Sequence, residues 1–99
     1  MNIYEFTTSI TLTGGSGNTV SLNVRGGLLN YLLVRANTAT TTFMTQLEDG
    51  DDIVRLNYGL HEGELVDDKI NLPVTGRWRV RLQNASVSDT FRIIFSVRE

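Results

Sequence analysis

Three arginines, Arg77, Arg79 and Arg81, alternate with Trp78, Val80 and Leu82 in the stretch GRWRVRLQN at positions 76–84. In an extended strand, side chains at every second position leave the same face about 7 Å apart. One face therefore carries three guanidiniums and the other an indole and two aliphatic groups. A guanidinium presents a rigid fork of donors that fits a carboxylate. Two readings are open: the row pairs with carboxylates of a neighbouring strand, or it meets a carboxylate-rich surface of another protein. Nucleic acid suits it less, because the rings that would stack on bases share the core-directed parity and the chain carries a net charge of −2.

Carboxylates gather upstream of that row. Residues 48–68 hold eight acids against Arg55, a local charge of −7, and residues 69–99 hold six bases against Asp89 and Glu99, a local charge of +4. Within the acidic half, Glu48-Asp49-Gly50-Asp51-Asp52 has the oxygen density that a hard cation wants. It lacks the alternating ligand spacing and terminal bidentate glutamate of a calcium loop. The Asp-Gly pair marks a hairpin tip, with Asp49 and Asp51 as alternative docking groups for a basic partner.

Other chemistry is thin. His61-Glu62-Gly63-Glu64 lacks the second histidine of a zinc helix, and a lone histidine makes no zinc site; His61 reads as a loop histidine. The serines have only that histidine to activate them, so no Ser-His-acid triad is expected. Glycines 14, 15 and 17 precede no Lys-Ser or Lys-Thr and open no helix, which argues against a phosphate cradle. Asn84-Ala85-Ser86 has the glycosylation pattern, with no signal segment to give it meaning. No catalytic residue, cofactor or metal is expected.

The elements that must hold these groups are strands. Apolar residues recur at period two through Tyr4, Phe6, Ile10 and Leu12, through Val20, Leu22 and Val24, and through Phe43, Thr45 and Leu47. Trp78, Val80, Leu82 and then Phe91, Ile93, Phe95, Val97 show the alternation most clearly, whereas Ile53–Tyr58 is apolar on both parities, in a weaker form of the Leu28–Ala36 segment. No window sustains helical spacing. Leu28–Ala36 is apolar on both parities: Leu28, Leu32 and Val34 fall on one face, Leu29, Tyr31 and Leu33 on the other. A sandwich of this size covers one face of each sheet, so the second, outer set predicts a face either curled under a loop or packed against another subunit, with oligomerisation the expectation. Between runs, Thr13–Asn18 predicts a mobile hairpin loop, Asn84–Asp89 a third connection, and Pro73 an edge strand or extended approach. At 99 residues, with 40% hydrophobic content and no cysteine, the whole chain is one domain spanning residues 1–99 that needs no disulfide. The fold class is all-β: a single antiparallel β-sandwich of seven to eight strands, jelly-roll-like, with a small barrel next and no significant helix.

The Gly-x-Trp-x-Val-x-Leu-x-Asn strand at 76–84, followed by Phe91–Val97 (FRIIFSV) and set among Thr/Gly/Ser-rich loops, resembles the small accessory virion proteins of tailed bacteriophages, decoration or cement proteins in particular. The resemblance implies a non-enzymatic homo-oligomer, a trimer by preference, that binds a capsid shell and resides in the virion after synthesis in the host cytoplasm without a signal peptide. It transfers no individual residue's role. The partners expected are the chain itself and a larger protein lattice, with neither nucleic acid nor membrane. The candidate interface is Arg77, Arg79, Arg81, Leu29, Tyr31, Leu33, Asp49 and Asp51. The reading from another class is a carbohydrate-binding sandwich, for which Tyr4, Tyr31 and Tyr58 are the available stacking platforms.

Overall fold

Alternation becomes strand wherever it is sustained. In the computed structural model, which describes residues 2–99, the chain forms β1 (Ile3–Leu12), β2 (Asn18–Ala36), β3 (Thr42–Glu48), β4 (Val54–Glu62), β5 (Glu64–Asp67), β6 (Leu72–Gln83) and β7 (Asp89–Arg98). The described residues contain no helix. Every pairing is antiparallel, and one hydrogen-bonded sheet runs β1-β7-β2-β6-β3-β4, with β5 added to β2.

The two runs that read as separate strands, around Val20–Val24 and Leu28–Ala36, are one strand of 19 residues. Gly26 and Gly27, at φ 121° and 148°, sit where β2 passes from one part of the sheet to another. Its first half pairs with β6, in a register that shifts between Val24 and Gly27; its second half pairs with β7 and β5. The sheet thus has two wings: β1, β7, β5 and the end of β2 in the first, and β6, β3, β4 and the start of β2 in the second. Counted as two strands, the halves of β2 bring the total to eight. The pairings then join first with eighth, second with seventh, third with sixth and fourth with fifth. That is a long hairpin rolled on itself, the jelly-roll order.

The core is one apolar cluster drawn from both wings. Leu32, Val34, Phe91, Ile93, Phe95 and Val97 come from the first wing and Phe43, Leu47, Trp78, Val80 and Leu82 from the second. Phe43 stands edge-to-face against Phe91 with ring centroids 5.1 Å apart, a geometry that favours the ring quadrupoles. The parity expected for residues 76–84 holds: Trp78, Val80 and Leu82 are buried, and Arg77 and Arg81 are exposed. Pro73 lies near the start of β6, opposite Leu28, where only β2 flanks that strand.

Three expectations are corrected. Thr13–Asn18 is no hairpin, since β1 pairs with β7 and β2 with β6; it crosses between wings. Nor does it hang free, because Gly15 N donates to Ala85 O at 2.6 Å and Gly14 N to Ser88 Oγ at 3.0 Å. His61 belongs to a strand, opposite Phe43 in the β3–β4 pair. Finally, Leu29 does not share a face with Tyr31 and Leu33. A register shift between Leu29 and Tyr31 in the β2–β7 pair inserts Asn30 as an extra residue, and a one-residue slip exchanges the faces of everything beyond it. Leu29 is 0% exposed and belongs to the core.

Candidate functional site

The arginine row of β6 lies between β2 and β3. Arg79 stands directly opposite Glu48 and Arg81 opposite Gln46. Arg79 Nη2 donates to Glu48 Oε1 at 2.6 Å, and Arg81 Nη1 to Glu48 Oε2 at 3.3 Å. The β3–β4 hairpin folds over the other end of the row: Asp52, at φ 63°, places Oδ1 2.9 Å from Arg79 and 3.4 Å from Arg77. Arg77 also donates to Gly50 O at 3.4 Å. The acidic and basic halves of the chain therefore meet within one molecule. Of the two readings of the row, pairing with a neighbouring strand is the one the geometry takes. Glu48, 3% exposed, is the residue that holds the row together. Its register opposite Arg79 is set by the pairing of β3 with β6, strands that are not consecutive in the chain, and could not be read from spacing.

Asp49 is likewise engaged at home. Its Oδ1 accepts from Asp51 N at 2.9 Å and Ile53 N at 3.1 Å, and its Oδ2 faces Arg55 at 3.3 Å. Desolvation acts to raise its pKa, but those two backbone donors and Arg55 outweigh it and leave the carboxyl below 3.8. Asp51 remains exposed at the tip. No group of three His, Asp or Glu that could hold a metal ion occurs among the described residues. Asn84, at φ 56°, turns the chain out of β6 in a conformation asparagine tolerates, and Ser86 Oγ accepts from Thr42 N at 2.9 Å. The Asn84-Ala85-Ser86 triplet thus has a structural use.

Of the tyrosines, Tyr4 packs edge-on against Phe6, and the Arg25 guanidinium lies 4.5 Å over its ring. Tyr58 donates to Asp67 Oδ2 at 2.9 Å; burial first, and the Asp67 carboxylate second, push its pKa well above 10.0. Tyr31 alone of the three makes neither kind of contact among the described residues. A concavity of about 400 Å³ at the sheet end, lined by Asn18, Thr19, Arg81, Gln83 and Asn84, includes no aromatic ring.

Tyr31 and Leu33 do face outward, on the first wing. Leu33 lies opposite Ile94 of β7 and Val66 of β5, and Ile94 opposite Thr7 of β1. The result is an apolar row across the outer face. Leu33, at its centre between two strands, is 6% exposed, whereas Val66 at the edge is 45% exposed. On one side run Tyr31, Ser96 and Glu5; on the other run Glu64, Arg35, Arg92 and Ser9. Arg35 Nε donates to Glu64 Oε2 at 2.6 Å. Arg92 stands directly opposite Arg35, an unfavourable like-charge pair, and no carboxylate lies within 4.0 Å of it among the described residues. Arg92, Ile94 and Val66 were missed from the sequence, since only the strand register sets them beside Tyr31 and Leu33.

No protein-family model matches this chain, and no curated protein matches it. Solved structures do. A mitogen derived from Yersinia pseudotuberculosis superimposes with a TM-score of 0.50 at 17% identity, over 99% of this chain and 87% of that one. A periplasmic lysozyme inhibitor of g-type lysozyme from Aeromonas hydrophila superimposes with a TM-score of 0.51 at 12% identity, over 97% and 86%. A structure of the infectious bursal disease virus Gx strain matches over 98% of this chain but 32% of its own, with a TM-score of 0.33 and 11% identity, too slight a likeness to bear on the fold. At these identities the first two matches speak to architecture alone: the chain shares its all-β fold with proteins of different names.

Proposed function

We propose that this chain is a non-enzymatic assembly protein that associates with itself and docks on a larger protein lattice, as a virion accessory protein of the decoration or cement type. The observation that carries the reading is the outer face of the first wing. An apolar row, Val66-Leu33-Ile94, is bordered there by Tyr31 and by Arg92, a guanidinium with no carboxylate within 4.0 Å among the described residues. An apolar centre with aromatic and arginine margins is the composition that protein interfaces select. The reading does not rest on the arginine row of β6, whose three guanidiniums pair with Glu48 and Asp52 of the same chain.

The docking partner on this reading is a carboxylate-bearing protein surface that satisfies Arg92 while covering Val66 and Ile94. Co-sedimentation with purified expanded capsid shells of tailed phages tests it. The wild-type chain is expected to pellet with shells at a fixed ratio, and Arg92→Glu or Val66→Lys to remain in the supernatant while keeping the native fold. A chain that ignores every shell offered, or whose binding survives both substitutions, overturns the proposal. The resemblance favours a trimer, and native mass spectrometry reads that number directly.

A further inference from the structure

We propose that β1 is a self-association seam, where a second copy of this chain adds its own β1 antiparallel across a two-fold axis and so continues the first wing through both molecules. This deepens the assembly reading above by naming one of its contacts, at the free backbone edge of the strand that borders the outer face.

The sheet has four open edges, and three are blunted. β5 is four residues long. β4 is broken in register against β3 at Gly59, which has φ 68°, and carries Arg55. The first half of β2 carries Arg25 and ends at the Gly26–Gly27 irregularity. Such short strands, bulges and basic side chains are the usual guards against edge-to-edge pairing. β1 has none of them. It runs 10 residues in unbroken register with β7, without glycine, proline, lysine or arginine, and Glu5 is its single charge.

Its inward side chains are also incompletely covered. Tyr4, Phe6 and Ile10 are half-buried, while Val97, Phe95 and Phe91, their opposite partners on β7, are fully buried. The difference arises because β1 is the last strand of the sheet, with Arg25 laid over Tyr4 but no strand beyond it, so that its outward-turned backbone donors and acceptors are left for water or another strand.

The strand is complementary to itself. Antiparallel partners share a face, so the symmetric registers centred on this strand place Thr7 or Thr8 on the axis. With Thr7 there, Glu5 meets Ser9, Phe6 meets Thr8 and Tyr4 meets Ile10. With Thr8 there, Glu5 meets Thr11, Phe6 meets Ile10 and Tyr4 meets Leu12. Neither register opposes like charges, and both set an aromatic ring against a β-branched residue, a favourable cross-strand pair. A self-complementary patch closes as a two-fold dimer.

The chain has no cysteine, so one introduced thiol reports on one place. Thr7→Cys and Thr8→Cys together cover both registers, and Leu60→Cys on the β4 edge is the control. Under mild oxidation, at least one β1 variant is expected to yield a covalent dimer at least tenfold faster than Leu60→Cys. The wild-type chain is expected to show an even-numbered native mass, and Thr7→Lys to halve it while keeping the emission of buried Trp78. If neither β1 cysteine links faster than the control, or the mass is unaffected by Thr7→Lys, the seam is wrong. A trimer insensitive to Thr7→Lys would overturn the seam and leave the assembly reading standing; a monomer at every concentration would remove self-association altogether.

Discussion

At the residue scale, burial separates ion pairs that matter from those that do not. Glu48 is nearly inaccessible and its main partner, Arg79, is about three-quarters buried, whereas Arg77 and Asp52 are both more than half exposed. Removing one member of a buried pair strands the other charge. Arg79→Ala is therefore expected to cost about 2–3 kcal/mol in urea denaturation, less than in a sealed pair because Arg81 still reaches Glu48. Arg77→Ala should change stability by no more than about 0.5 kcal/mol. Tyr58 offers a test by pH. Its folded pKa lies above its unfolded value of 10.0, so the stabilisation is whole below pH 10 and is lost as pH rises toward the folded value. Denaturation midpoints measured from pH 9 to 12 should fall with pH in the wild type and fall less in Tyr58→Phe. Asp89 behaves in the opposite sense. Desolvation raises its pKa, but donors from Thr41 Oγ1, Thr38 N and Thr90 N prevail and lower it. Its contribution is present above pH 3.8 and lost in acid, and Asp89→Asn should flatten the acid limb of the same curve.

At the scale of elements, β2 carries most of the architecture. One strand belongs to both wings because Gly26 and Gly27 adopt backbone conformations closed to other residues. A Cβ on Gly27 would lie 2.6 Å from Arg98 O and 2.9 Å from Val97 Cγ1, both on the neighbouring β7. Gly27→Ala is expected to lose about 3 kcal/mol, from strain and displacement of that strand together. The measurement is a lowered urea midpoint at unchanged slope. The strands were legible because each alternates at period two over its own length. β5 was not: Glu64–Asp67 is too short to show a period, and it earns its place only by pairing with Leu32–Arg35. The parity of Leu28–Ala36 misled for a related reason. An added residue at Asn30 reassigns Leu29 inward, and nothing in a run apolar on both parities marks where that slip occurs.

At the scale of the molecule, the rolled hairpin makes the chain's ends neighbours, with Ile3 opposite Arg98 and Leu12 opposite Asp89. Contacts so distant along the chain must close large loops before any pairing stabilises them. Refolding followed by the fluorescence of Trp78, the single tryptophan, is expected in the range of milliseconds to seconds that non-local β folds occupy. The same long reach divides what the sequence determined alone from what the tertiary structure decided. Period-two alternation is a local property, read from a few neighbouring residues, and it was enough to specify an all-β chain, the inward set Trp78, Val80 and Leu82, and the outward row of arginines. Which strand lies beside which is not local. Backbone hydrogen bonds look alike in every register, so only the packing of the whole core could set Glu48 against Arg79, pair the arginine row with carboxylates of its own chain, and gather Tyr31, Leu33, Ile94, Val66 and Arg92 on one face.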